Sequence, residues 1–75
     1  MEEFLKQLRL IKKGVDFENE TALFDDGFLD SFDVIQIIAL IDDEYDITVP
    51  PSEIVPKNFN SAKAMWKMME RLENR

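Results

Sequence analysis

The chain has 75 residues, no cysteine and no histidine, and sixteen acidic residues against nine basic ones give it a formal charge of −7. Residues 1–75 read as one small domain that folds by side-chain packing alone, without a disulfide framework, a thiolate metal site or an imidazole general base. No run of about 18 apolar residues is present, and the Met1-Glu2-Glu3-Phe4 start has neither the basic lead nor the apolar centre of a secretory signal, so no membrane insertion and a cytoplasmic location are expected.

Phe4, Leu8, Ile11 and Val15 recur at helical spacing with Leu5 beside them, and Gly14 follows the basic pair Lys12-Lys13. That pattern predicts a first helix over about residues 2–13, ending in a glycine that tolerates a left-handed cap. Residues 15–29 form a long connection carrying Phe17, Leu23, Phe24, Phe28 and Leu29. Such a connection in a compact domain is packed by its own side chains, so it is expected to lie across the bundle.

Asp30 or Ser31 opens a second helix reaching Glu44 or Tyr45, with Asp30 as N-cap and Asp33, three residues on, completing a weak capping box. Val34, Ile37, Ile38, Ile41 and Tyr45 share its core face, while Phe32, Ile35 and Ala39 form a second apolar strip on another flank. Val49-Pro50-Pro51 stops any helix, Pro51 can start a short turn through residues 52–55, and Pro56 ends it. Asn60 or Ser61 caps a last helix whose face is Ala62, Met65, Trp66, Met69 and Leu72. No stretch alternates like a strand. The fold class is therefore all-α, a small four-helix bundle of three main helices and one short one.

All nine bases lie within residues 6–13 or 57–75, and between Gly14 and Pro56 there are twelve acids and no base. This block repels nucleic acid and anionic lipid and attracts basic partners. Without His or Cys no Ser/His/Asp or Cys/His arrangement is possible, and every Lys lies far in sequence from the acidic centre, which disfavours a Ser–Lys pair. The pairs Asp25-Asp26 and Asp42-Asp43 read as solvated faces. A calcium loop around Gly27 would need an oxygen ligand where Ala22 stands, so no metal site is expected. The chain reads as a non-catalytic protein.

The stretch that stands out is Asp-Gly-Phe-Leu-Asp-Ser-Phe-Asp, residues 26–33, which puts the hydroxyl of Ser31 where a loop turns into a helix. Unpaired N–H groups and the helix dipole favour a phosphate there, while Asp30 and Asp33 oppose it and are better suited to meeting basic residues of a visiting enzyme. Because Asp30 already caps, Ser31 is not needed as a second capping residue.

Residues 27–32 resemble the phosphopantetheine attachment site of acyl carrier proteins, whose core is Asp-Ser-Leu. The resemblance continues through residues 33–50 and into the Asn58-Phe-Asn-Ser61 start of the last helix. It implies a carrier, itself no enzyme, in which a phosphopantetheinyl transferase moves 4'-phosphopantetheine from coenzyme A onto Ser31. The arm then holds an acyl or aminoacyl group as a thioester. It also implies a partner-docking surface at Asp30, Phe32, Asp33, Ile35, Gln36 and Ala39, although Phe32 and Ile35 could instead pack under the 15–29 connection. The implied partners are the transferase, an acyl- or aminoacyl-activating ligase, and an acyltransferase or condensing enzymes, with the carrier itself a monomer. Phe32 stands where the family usually has Leu, and Gln36 where fatty-acid carriers usually have an acid. Both point away from fatty-acid synthesis and towards D-alanyl carriers and free-standing carriers of specialised pathways. The alternative is an acidic helical interaction module without a prosthetic group.

Overall fold

A computed structural model describes residues 1–73 of the chain. Its elements in order are α1 (Glu2–Ile11), α2 (Ser31–Tyr45), a 3-10 turn (Pro51–Glu53), α3 (Pro56–Phe59) and α4 (Ala62–Glu73). No strand occurs among the described residues. The expected all-helical bundle, three main helices and a short one, is the architecture found.

The elements begin and end where local chemistry dictates. α1 stops at Ile11, two residues short of the expectation, because Lys12 is already extended at φ −136°. Gly14 takes the left-handed conformation at φ 83° just beyond. α2 opens with a complete capping box: the Asp30 carboxylate accepts from the Asp33 N–H at 2.9 Å and the Asp33 carboxylate accepts from the Asp30 N–H at 3.1 Å. It ends at Asp46, which adopts the left-handed conformation at φ 57° usually left to glycine or asparagine. Ser61 is the cap of α4, its hydroxyl accepting from the Ala64 N–H at 2.9 Å. Pro56 does not end a turn as its sequence suggested. It opens α3 from the first helical position, where the missing N–H costs nothing.

The core is continuous from end to end. Phe4, Leu5 and Leu8 of α1 meet Val34, Ile37 and Ile41 of α2 and Ala62, Met65, Met68 and Met69 of α4. The long connection contributes Phe17, Leu23 and Leu29, all buried, so it does lie across the bundle. At one end Phe4, Tyr45 and Trp66 form an aromatic trio with ring centroids 5.8–6.0 Å apart. Trp66 and Leu72 are only half-buried and Met68 is fully buried, so the core stripe of α4 lies slightly round from the expected one.

Two polar clamps hold the segments that lack helix. The Asn60 side chain accepts from the N–H groups of Phe24 and Asp25, both at 3.0 Å, and donates to the Asp25 carboxylate at 3.0 Å. Buried Asn58 donates to the Glu53 carbonyl at 2.7 Å, and Arg71 pairs with the Glu53 carboxylate at 2.8 Å. Together these pin the connection and the 3-10 turn to the start and the flank of α4.

Candidate functional site

Ser31 is the first residue of α2 and is exposed. Of the N–H groups in the first turn, that of Asp33 is taken by the Asp30 carboxylate and that of Val34 by the Asp30 carbonyl. Those of Ser31 and Phe32 have no acceptor among the described residues, and neither has the Ser31 hydroxyl. A nucleophilic oxygen thus stands in solvent beside two N–H donors at the positive end of a fifteen-residue helix.

One flank of this serine is apolar. Ser31 lines a groove of about 360 Å³ together with Phe24, Val34, Ile35, Ile38 and Ile54. Ile35 and Ile54 of this groove are exposed, as are Phe28 and Phe32 close to Ser31 in sequence, Phe32 by 66% and Ile35 by 63%. Large apolar side chains so exposed contribute little to the core. Packing of Phe32 and Ile35 under the long connection does not occur.

The expected docking residues divide between two flanks. Asp30, Phe32, Ile35, Gln36 and Ala39 are exposed. Ile35 borders the apolar groove beside Ser31, whereas Gln36 and Ala39 border a second groove, between α1 and α2, with Leu10, Leu40, Asp43 and Glu44. Asp33 departs from the expectation. It is only 5% exposed, and its carboxylate is occupied by the Asp30 N–H and by the Lys12 ammonium at 2.9 Å. Burial pushes its pKa up, but the Lys12 hydrogen bond and the Asp30 N–H outweigh burial and hold it below the usual carboxylate range. The Asp33 carboxylate is therefore turned away from solvent.

Two features lay beyond sequence reading. Lys12 reads in sequence as an ordinary basic residue closing a helix, yet it bridges 21 residues to the start of α2. The hydrogen bond to Asp33 raises its pKa, so it stands there as a cation and not as a base that could activate Ser31. Ile54 joins the groove beside Ser31 from the loop after the 3-10 turn, an approach only the tertiary fold creates. No cluster of acidic residues suited to a metal ion occurs among the described residues.

An exposed primary hydroxyl, free N–H donors beside it and an adjoining apolar groove together fit a phosphoester that bears a long flexible substituent. Comparison with known proteins agrees with this chemistry. Residues 2–65 match the family model described as phosphopantetheine attachment site. The chain is 37% identical over 54 residues to aminoacyl carrier protein 2 of Bradyrhizobium diazoefficiens, a match covering 72% of this chain and 60% of the relative. It is 36% identical over 52 residues to the D-alanyl carrier protein of Streptococcus mutans, covering 69% and 66% respectively. The matched part therefore spans about three-fifths to two-thirds of the length of these relatives. By the extent of the family match and by these identities, the chain belongs to the phosphopantetheine attachment family, whose prosthetic group is a covalently bound 4'-phosphopantetheine.

Proposed function

We propose that this chain is a carrier protein whose attachment residue is Ser31, loaded by other enzymes and without turnover of its own. The observation that carries the proposal is the exposed Ser31 hydroxyl at the first position of α2, beside two free N–H groups and the apolar groove. Family members are non-catalytic in general, which suits a chain with neither His nor Cys. The prosthetic group supplies the thiol on which an acyl or aminoacyl group is carried as a thioester.

In loading, the Ser31 oxygen forms a new bond to the phosphorus of coenzyme A that bears the pantetheine. The bond from that phosphorus to adenosine 3',5'-bisphosphate breaks, and the hydroxyl proton leaves to a base on the transferase. The N–H groups of Ser31 and Phe32 would favour the phosphoester, and Phe24, Ile35 and Ile54 line the groove beside its point of attachment. Asp30, Phe32 and Ile35 meet the partner beside the serine, with Gln36 and Ala39 extending that surface along α2. The partners are a phosphopantetheinyl transferase, an activating ligase, and an acyltransferase or condensing enzyme. The names of the relatives, aminoacyl and D-alanyl carriers, favour an aminoacyl cargo. We place the work in the cytoplasm, where coenzyme A is available; no described helix is long and apolar enough to cross a membrane.

Incubation with coenzyme A and a promiscuous phosphopantetheinyl transferase is expected to add one phosphopantetheine per chain, read by intact mass. Ser31→Ala is expected to add none while keeping its helical circular dichroism. A wild-type chain that stays unmodified, or a variant that is still modified, would overturn the assignment.

A further inference from the structure

The start of α2 carries an electrostatic conflict. Asp30 and Asp33 flank Ser31 closely in sequence, and their carboxylates are oriented by the capping box at that same first turn. A phosphodiester on Ser31 adds a further negative charge between them. The free N–H groups and the helix dipole favour it, and like-charge repulsion from two acids opposes it. The fold also brings a cation to this turn from just beyond α1. Lys12 Nζ donates to Asp33 Oδ2 at 2.9 Å, the same oxygen that accepts the Asp30 N–H at 3.1 Å.

This ion pair is not a typical surface pair. The Asp33 side chain is 8% exposed and that of Lys12 40%, so the carboxylate is shielded from water that would otherwise screen it. The other two ion pairs among the described residues, Arg9–Glu18 and Arg71–Glu53, join other parts of the chain. Lys12 also sits immediately after α1, so its position is fixed by the packing of a whole helix.

Resting on the reading of Ser31 as the attachment residue, we propose that Lys12 is a positioning residue for the modified state: by pairing with Asp33 it keeps the capping box closed and the first turn of α2 in place when a phosphodiester is attached to Ser31. The modification is then nearly neutral for the stability of the fold. Without the ammonium, the phosphodiester and two carboxylates crowd one helical turn with only backbone dipoles to offset them.

The readout is the difference in melting temperature between unmodified and modified protein, at low salt. In the wild type the two forms are expected to melt within about a degree or two of each other. Lys12→Met keeps the aliphatic stem and removes the charge; its modified form is expected to melt several degrees below its own unmodified form. The double variant Lys12→Met/Asp33→Asn removes the unbalanced carboxylate as well and is expected to return the difference to the wild-type value. A difference that is equal in wild type and Lys12→Met would overturn the proposal and leave Lys12 a mere tether, since loss of a tether lowers both forms alike. Should Lys12→Met not fold, Lys12→Arg decides: the charge account requires a wild-type difference whatever stability is lost, and a difference that widens with that loss overturns it. Failure of the underlying reading looks different, because the wild type then gains no mass at Ser31.

Discussion

At the scale of single residues, the two aspartates around Ser31 have separate tasks that the sequence does not distinguish. Asp30 stays exposed and caps α2, whereas Asp33 turns inward to Lys12. The capping box itself was legible, because Asp30 and Asp33 stand at the spacing it requires. Lys12 was not, because nothing local marks a partner 21 residues away. The buried carboxylate has a consequence in acid. Its pKa is depressed in the folded state, so it stabilises the fold above the ordinary carboxylate pKa and loses that contribution as pH falls through the lower, folded value. Melting temperature is expected to fall as pH drops below about 4, the unperturbed carboxylate region, and Asp33→Asn is expected to flatten that fall. It will not abolish it, since Asp16, held low by the Asn19 side chain, acts in the same direction. An Asp33→Asn melting profile that parallels the wild type between pH 2 and pH 6 would refute this role.

At the scale of elements, helix periodicity located α1, α2 and the start of α4 to within two residues because each has an apolar stripe and α2 and α4 a recognisable cap. The stretch from Val49 to Asn60 was harder. Three prolines there break periodicity, and a four-residue helix such as α3 has too few positions to show any. The division of labour between Asn60 and Ser61 was equally hidden. Both are good caps by type, but Asn60 is drawn away to the backbone of Phe24 and Asp25. In the core the expectation is simple. Ile41 and Met69 are 0% and 2% exposed, so Ile41→Ala or Met69→Ala removes packed volume from α2 or α4. Such truncations cost about 2–5 kcal/mol, a large part of what stabilises a domain this small. Chemical denaturation should register the loss, and a midpoint unchanged in both variants would contradict their place in the core.

At the scale of the whole molecule, a radius of gyration of 11.1 Å agrees with the roughly 11 Å of a compact chain of this length, so the long connection belongs to the body of the bundle. The charge segregation of the sequence maps onto the elements: bases lie on α1, at Lys12-Lys13 just after it, and on α3 and α4, while α2 and residues 15–30 before it carry acids and no base, Lys12 being brought to the start of α2 by its pairing with Asp33. Ser31 therefore lies within the acidic stretch. Approach of a basic transferase is expected to be electrostatically steered, so raising salt from about 50 to about 500 mM should raise the KM for this protein and leave kcat nearly unchanged. A KM that ignores salt would show that apolar contacts alone guide the encounter. The aromatic trio gives the molecule a built-in optical probe. Trp66, the sole tryptophan, is stacked edge-on against Tyr45 at the last turn of α2, about 20 Å along the helix from its first residue. Its emission should follow the cooperative loss of the bundle and stay dark to events at the serine, so any spectral change upon loading would signal strain transmitted through the whole length of α2.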